Sequence, residues 1–144
     1  GSHLCERLLA RGRSIYCTWT DRRITLDQLH VDHCFPWSAW PCDDLWNLLP
    51  SSREANLAKR DSLISAELLE RKRHRIAEWW HDAFLASDRP HVSRRFAIEA
   101  RTSLPLSELP SGDGPDPADM LDAMALLRMR LLSDQQLPEW SGLN

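Results

Sequence analysis

The chain has 144 residues, of which 27% are charged, and a formal net charge of −3 at neutral pH. This length suits one domain with a modest core and a small helical annex. No apolar run approaches the roughly 20 residues that a membrane span needs, and no signal-peptide pattern is present, so we expect a cytoplasmic protein without a membrane partner. Residues 1–3 are typical of a cleaved purification tag, which predicts a longer natural protein.

The first third of the chain predicts one helix followed by strands. Leu4–Arg11 has helical spacing of its leucines. The β-prone run Ser14–Trp19 is expected to pair with Ile24–Leu26 across a polar turn. Gln28–Cys34 alternates apolar and polar residues, as a half-buried strand does. An aromatic loop, Phe35–Pro41, follows that strand.

A strand and a helix are predicted next. Trp46–Pro50 should be extended, because a residue that precedes proline avoids helical geometry. Ser51 and Glu54 have the spacing of a capping box, which predicts a helix that starts there. Three polar residues share one face of this helix: Asn56, Lys59 and Arg60.

The remaining residues are predicted to be mostly helical. Ser65–Ala86 carries an apolar stripe at helical spacing, and a second helix is expected over about 89–102. Residues 103–116, which are rich in proline and glycine, are expected to form a linker. A final helix begins after the N-cap Asp116 and reaches about Leu132.

Three sequence blocks in the first half occur in a fixed order. They read V-D-H-x-x-P at 31–36, W-N-L-L-P at 46–50 and N-x-x-K-x-D at 56–61. In this order and at these intervals they resemble the HNH nuclease family in its Asp-His … Asn … Asn form, over roughly Ile15 to Asp61. The resemblance implies an α+β fold, in which a small ββα-metal unit over 4–62 precedes a helical annex. The annex comprises an extension over 63–102, the linker over 103–116, and a C-terminal helix and tail over 117–144.

The resemblance also implies a role for each motif residue. Asp32 and Asn56 offer hard oxygen ligands for one Mg²⁺, for which Mn²⁺ is a substitute. His33 is expected to act as the general base, and Asn47 to fix the loop that presents His33. Lys59 is expected to reach a phosphate oxygen. A surface hydrogen bond is the alternative interpretation of the Asp-His pair, whose side chains should point to opposite faces unless the strand end bends.

A structural zinc is not expected in this chain. Many HNH domains carry two C-x-x-C pairs, but here the first position reads Cys17-Thr18-Trp19-Thr20 and the second reads Arg53-Glu54-Ala55-Asn56. Tetrahedral zinc sites need clustered cysteine or histidine ligands. Reduced thiols packed as small apolar groups are the preferred interpretation.

Positive charge is concentrated beside the motif. Residues 51–75 carry seven bases against four acids, whereas residues 102–144 carry two bases against seven acids. Contacts to phosphate need local positive charge rather than a positive total. The predicted nucleic-acid contacts are Arg53, Lys59, Arg60, Arg71, Lys72 and Arg73. A solvated helix face is the alternative interpretation of the last three.

The sequence thus predicts a Mg²⁺-dependent HNH endonuclease domain that acts on DNA, either single- or double-stranded. We expect it to belong to a larger bacterial defence protein, CRISPR-associated or restriction-type, with a fused or associated target-recognition module. A catalytically weak nucleic-acid-binding module is one alternative. A protein-interaction module is another, suggested by an exposed Trp79–Trp80 pair and the acidic C-terminal part.

Overall fold

The computed structural model describes residues 2–106 and 114–143, with side chains from Leu4 onward, so residues 107–113 of the predicted linker lie outside it. Its mixture of helices and short strands confirms the predicted α+β class. In chain order the elements are α1 Ser2–Ala10, β1 Ile15–Tyr16, β2 Arg23–Ile24, β3 Leu29–His33, β4 Leu48–Ser52, α2 Arg53–Lys59, β5 Leu63–Ile64, α3 Ala66–Trp80, α4 Pro90–Ser103, α5 Pro117–Asp134 and β6 Glu139–Trp140.

The β3–β4 hairpin and the α2 helix carry the three motif blocks. The strands are antiparallel, with His33 opposite Leu48, and α2 follows β4 without a break. Ser52 caps α2, since its hydroxyl accepts a hydrogen bond from the Ala55 amide at 3.1 Å. The capping box predicted at Ser51 is therefore wrong by one residue. Ser51 is fully buried in the strand ladder and cannot turn toward the helix.

The helical annex forms most of the core. The α3 helix buries its predicted apolar stripe and packs against α5. It ends at Trp80 and continues as a wider π-helical turn over His81–Leu85, so the single α-helix predicted to Ala86 is interrupted. The predicted face of α5 is buried as well: Met120, Met124, Leu127 and Leu131. No helix in the described ranges is long and apolar enough to cross a membrane.

A short C-terminal strand, which the sequence did not predict, returns to the motif region. β6 pairs in parallel with β5. Arg128 of α5 joins them, because its Nε donates to the Ile64 carbonyl at 2.7 Å and its guanidinium pairs with Glu139. The Trp140 ring meets the Trp19 ring edge-on at 6.0 Å.

Asp21 links the β1–β2 turn to α3. Its carboxylate accepts from Lys72 Nζ at 2.6 Å and from Arg75 Nε at 3.0 Å. The Arg75 guanidinium also lies 4.3 Å from the centre of the Tyr16 ring. Burial opposes ionisation of Asp21, but the two cations outweigh that effect and hold the pKa of the carboxyl below its ordinary value.

We expect Asp21→Asn to lower the free energy of unfolding at pH 7 by about 1 kcal/mol or less, because the carboxylate is 37% exposed and solvent screens the pairs. A group whose pKa is lowered by folding stabilises the protein above its ordinary pKa and loses that effect as the pH falls through the folded value. The difference between the variants should therefore shrink as the pH falls below the ordinary value of 3.8 and disappear below the lower pKa of the folded protein. Urea unfolding at several pH values tests this, with the exposed Glu70→Gln as control.

Candidate active site

Asp32 is a buried carboxylate near the end of β3, with only 5% of the residue exposed. Its Oδ2 accepts a hydrogen bond from Trp19 Nε1 at 2.8 Å. The Lys59 ammonium lies 3.4 Å from the carboxylate. Burial raises the pKa of Asp32 above its ordinary value, and the positive charge of Lys59 and the Trp19 hydrogen bond offset only part of that rise.

Lys59, at the end of α2, has no exposed surface. Besides approaching Asp32, its ammonium donates to the His33 carbonyl at 2.7 Å. This placement corrects the predicted contact between Lys59 and a phosphate, since the charged group faces the strand rather than solvent. A buried ammonium must be paired and hydrogen-bonded, and Lys59 finds both partners on β3.

His33 lies at the C-terminal end of β3 with its side chain 30% exposed. Its Nε2 lies 2.8 Å from Asp43 Oδ1, and its ring meets the Trp37 ring edge-on at 5.9 Å. Sequence analysis did not identify Asp43 as part of the site. The available signal was its position in the loop just before the W-N-L-L-P block, which is too weak to predict a contact across ten residues.

Asn47 holds the loop that follows His33. Its fully buried amide accepts from the Phe35 amide nitrogen at 2.8 Å and donates to the Phe35 carbonyl at 3.1 Å. The Asn47 carbonyl also accepts from the Cys34 amide at 2.8 Å. Both polar atoms of the side chain are thus engaged with backbone, so Asn47 shapes the site without facing a substrate.

The helical annex fixes the same loop from the other side. Leu45 N donates to Glu99 of α4 at 2.9 Å, and Asp44 accepts from Ser103 of the same helix. The loop between β3 and β4 therefore depends on contacts with residues more than 50 positions later in the chain.

Trp79 and Trp80 also support this region, and the prediction that they form an exposed pair is wrong. Trp80 is fully buried and donates to the Trp46 carbonyl at 3.2 Å. Trp79 is half-buried and donates to the Leu48 carbonyl at 3.1 Å. Both indole nitrogens thus bind the backbone near the start of β4, which removes one of the two observations that suggested a protein-interaction module.

Asn56 is half-buried on α2, three residues before Lys59. Residues at this spacing share a helix face and are separated by about 4.5 Å along the axis. Asn56 is therefore a neighbour, on the helix surface, of the residue that reaches β3.

The cysteines carry no sign of a metal centre within the described part of the chain. All four are free thiols there, and no group of three or more His, Cys, Asp or Glu side chains is arranged to hold an ion. Complete burial raises the pKa of the Cys34 thiol to about 12, so that it stays protonated at neutral pH. Cys17 is likewise buried, next to Ser52.

The predicted nucleic-acid contacts divide into paired and accessible residues. Arg53 and Arg60 are exposed at the two ends of α2. Lys72 is paired with Asp21, and Arg73 is paired with an α5 carboxylate, so both charges are partly neutralised within the protein. The contact of these two residues with nucleic acid stays a prediction. The acidic residues that neutralise them are distant in sequence but adjacent in the fold.

Arg71 remains accessible beside a surface depression of about 360 Å³. Its Nη2 donates to the Ser141 carbonyl at 3.0 Å, which leaves the positive charge without a carboxylate partner among the described contacts. Trp19, the hydrogen-bond donor to Asp32, also lines this depression. The complete lining is Trp19, Thr20, Arg22, Glu54, Arg71, Lys72, Gly142 and Leu143.

We expect Lys59→Met to lower the free energy of unfolding by about 3–5 kcal/mol, because it leaves the buried Asp32 carboxylate without its counter-charge. The deficit should shrink in acid, since protonation of Asp32 removes the uncompensated charge. Urea unfolding at pH 7 and pH 4 measures both effects. The double variant Lys59→Met/Asp32→Asn removes both charges and should recover most of the loss. A double variant as unstable as Lys59→Met would contradict this account.

Comparison with known proteins finds a similarity to one family in the motif region. Residues 17–64 match the family model of the HNH endonucleases, an interval that contains β3, β4 and α2. No curated protein and no solved structure has significant similarity to the chain. HNH domains act on nucleic acids and generally use divalent metal ions. Residues 17–64 are thus similar to the HNH endonucleases, which supports the family predicted from the three sequence blocks.

Proposed function

We propose that this chain is the Mg²⁺-dependent endonuclease module of a larger protein and that it hydrolyses DNA phosphodiester bonds. The observation that carries the proposal is the pairing of two unlike groups at the end of β3. Asp32 is a buried carboxylate locked by Trp19 and Lys59, and the next residue, His33, presents a half-buried imidazole. The proposed oxygen ligand and the proposed proton acceptor thus come from consecutive residues, and metal-assisted hydrolysis uses one group of each kind.

The donor set fits a hard divalent cation. Asp32 supplies a carboxylate whose two oxygens retain lone pairs beyond the hydrogen bonds from Trp19 and Lys59, and Asn56 supplies an amide oxygen. Mg²⁺ is commonly held by one or two protein oxygens and several waters. When bound, the ion would stabilise negative charge on the phosphate and on the leaving oxygen. The same hard-donor preference admits Mn²⁺ as a substitute.

His33 is the residue proposed to move the proton. It takes a proton from the attacking water, whose oxygen then forms a bond to phosphorus while the bond to the leaving oxygen breaks. By resemblance to the family, the products carry 5′-phosphate and 3′-hydroxyl ends. The Asn47 hydrogen bonds to Phe35 keep the loop after His33 in place during this step.

The depression lined by Arg22 and Arg71 is the proposed path of the nucleic-acid strand. It shares Trp19 with the Asp32 site, so the proposed path adjoins the residue that orients the Asp32 carboxylate. Guanidinium groups bind phosphate through charge and paired hydrogen bonds. Contacts of this kind position a strand and carry no sequence information.

Target choice is therefore proposed to come from a fused or associated recognition module. The amino-acid sequences of the motif blocks resemble those of HNH modules from bacterial defence systems, including CRISPR complexes. This resemblance supports the proposal that the larger protein is a defence or restriction protein. The alternative function is that of a module that binds DNA without cleaving it. Measurement of both DNA binding and DNA nicking distinguishes this function from that of a nuclease.

We expect His33→Ala to reduce Mg²⁺-dependent nicking of plasmid DNA by about 10²-fold or more, the usual loss for a general base. Chelation of divalent ions should abolish the activity of the unmodified protein. Because His33 is half-buried and not part of the core, the thermal melting of the variant should stay close to that of the parent. Equal nicking by the two proteins would overturn the proposal, and DNA binding without nicking by either would favour a binding module.

We expect Arg71→Gln to weaken DNA binding and to reduce the slope of log affinity against log salt by about 1, because it removes one phosphate contact. Arg73→Gln is a matched control, as it removes the same charge from the same helix. Its guanidinium is already paired with Asp122 at 3.0 Å, so the slope should not change. Fluorescence anisotropy over a KCl series, with His33→Ala as the parent, measures both. Equal effects would remove Arg71 from the proposed strand path.

A further inference from the structure

We propose that Asp43 is a positioning residue for His33, an inference that rests on the proposed nuclease function. Asp43 Oδ1 lies 2.8 Å from His33 Nε2. A carboxylate accepts hydrogen bonds only, so Nε2 carries the proton in the neutral imidazole and Nδ1 is the nitrogen that can accept one. Asp43 thereby selects which ring nitrogen faces the attacking water.

The exposure of the two side chains indicates that Asp43 acts on His33 through the direction of its hydrogen bond. The Asp43 side chain is 69% exposed, whereas that of His33 is 30% exposed. Solvent screens the charge of an exposed carboxylate, but it does not remove the directionality of a short hydrogen bond. Trp37 adds a second restraint, since its ring meets the imidazole edge-on at 5.9 Å.

The backbone that carries Asp43 is held in place by its neighbours. The Asp44 amide donates to Cys42 Sγ at 3.2 Å, and the Asp44 carboxylate accepts from Trp46 Nε1 at 3.1 Å and from Ser103 of α4. Asp43 therefore projects from a fixed segment, and its contact with His33 is built into the loop. The helical annex contributes to the position of Asp43, because α4 binds the neighbouring residue Asp44.

An ordinary surface ion pair is the competing interpretation, and the two differ in how they couple to catalysis. If Asp43 acts through His33, its removal matters only while His33 is present. If the pair only stabilises the loop, its removal changes the melting temperature, and any effect on the rate persists without His33. A double-mutant cycle separates these cases.

The experiment measures DNA nicking and melting for Asp43→Ala, Asp43→Glu, His33→Ala and the double variant His33→Ala/Asp43→Ala. We expect Asp43→Ala to lower kcat about 10-fold with little change in KM, because misorientation of a catalytic group affects the chemical step. Asp43→Glu should recover part of the rate by restoring a carboxylate. The double variant should nick as slowly as His33→Ala alone. Asp119→Ala, which removes an exposed carboxylate from the first turn of α5, is the control and should leave the rate unchanged.

A spectroscopic measurement complements the kinetics. In the unmodified protein, NMR should detect a hydrogen-bonded Nε2 proton on His33, and this signal should be lost in Asp43→Ala. A rate for Asp43→Ala equal to that of the parent, alongside a large loss for His33→Ala, would overturn the role of Asp43 and leave the nuclease proposal standing. A further loss in the double variant would also overturn it. Unchanged nicking by His33→Ala would instead overturn the nuclease proposal itself.

Discussion

The buried ion pair between Asp32 and Lys59 is the interaction on which the arrangement of the motif residues depends. An ammonium with no exposed surface is tolerated only where a carboxylate and further acceptors surround it. Lys59 finds these groups in Asp32 and the His33 carbonyl, so α2 must lie against β3 in one position. That position also sets the side of α2 on which Asn56 lies. A single charge pair thus connects two motif blocks that are distant in sequence.

The same ion pair shapes the chemistry open to Asp32. Burial raises the pKa of the carboxyl, and the neighbouring positive charge of Lys59 counteracts that rise. A divalent ion would add a second positive charge beside the same carboxylate and favour its ionised form further. Trp19 holds one carboxylate oxygen, which leaves the group with a fixed direction and spare lone pairs. The fold therefore orients the Asp32 carboxylate through Trp19 and partly neutralises it through Lys59, as the proposed role of a metal ligand would require.

The features that sequence analysis predicted correctly have local causes. The features that it missed depend on contacts between elements that are distant in sequence. The α2 and α5 helices follow from capping residues and apolar periodicity, which act within a few positions. The burial of Lys59 could not be read from its helix, because the acceptors come from another element. The pairing of Arg73 with Asp122 joins residues 49 positions apart. The strand β6 has only two residues, too few for the alternation of apolar and polar residues that indicates a strand. Asp43 was missed for the same reason, since only the folded loop brings it to His33.

The fold determines which positive charges are paired within the protein and which are accessible to nucleic acid. A count along the sequence favours the basic run of α3, yet the acidic residues that seemed remote lie against it and neutralise Lys72 and Arg73. The accessible guanidinium groups of Arg22 and Arg71 instead flank a depression next to Trp19. Affinity for phosphate depends on cations that nucleic acid can pair with, because only these release counterions on binding. The accessible cations beside Trp19, rather than the total charge of the α3 run, therefore determine how strongly this face can bind phosphate.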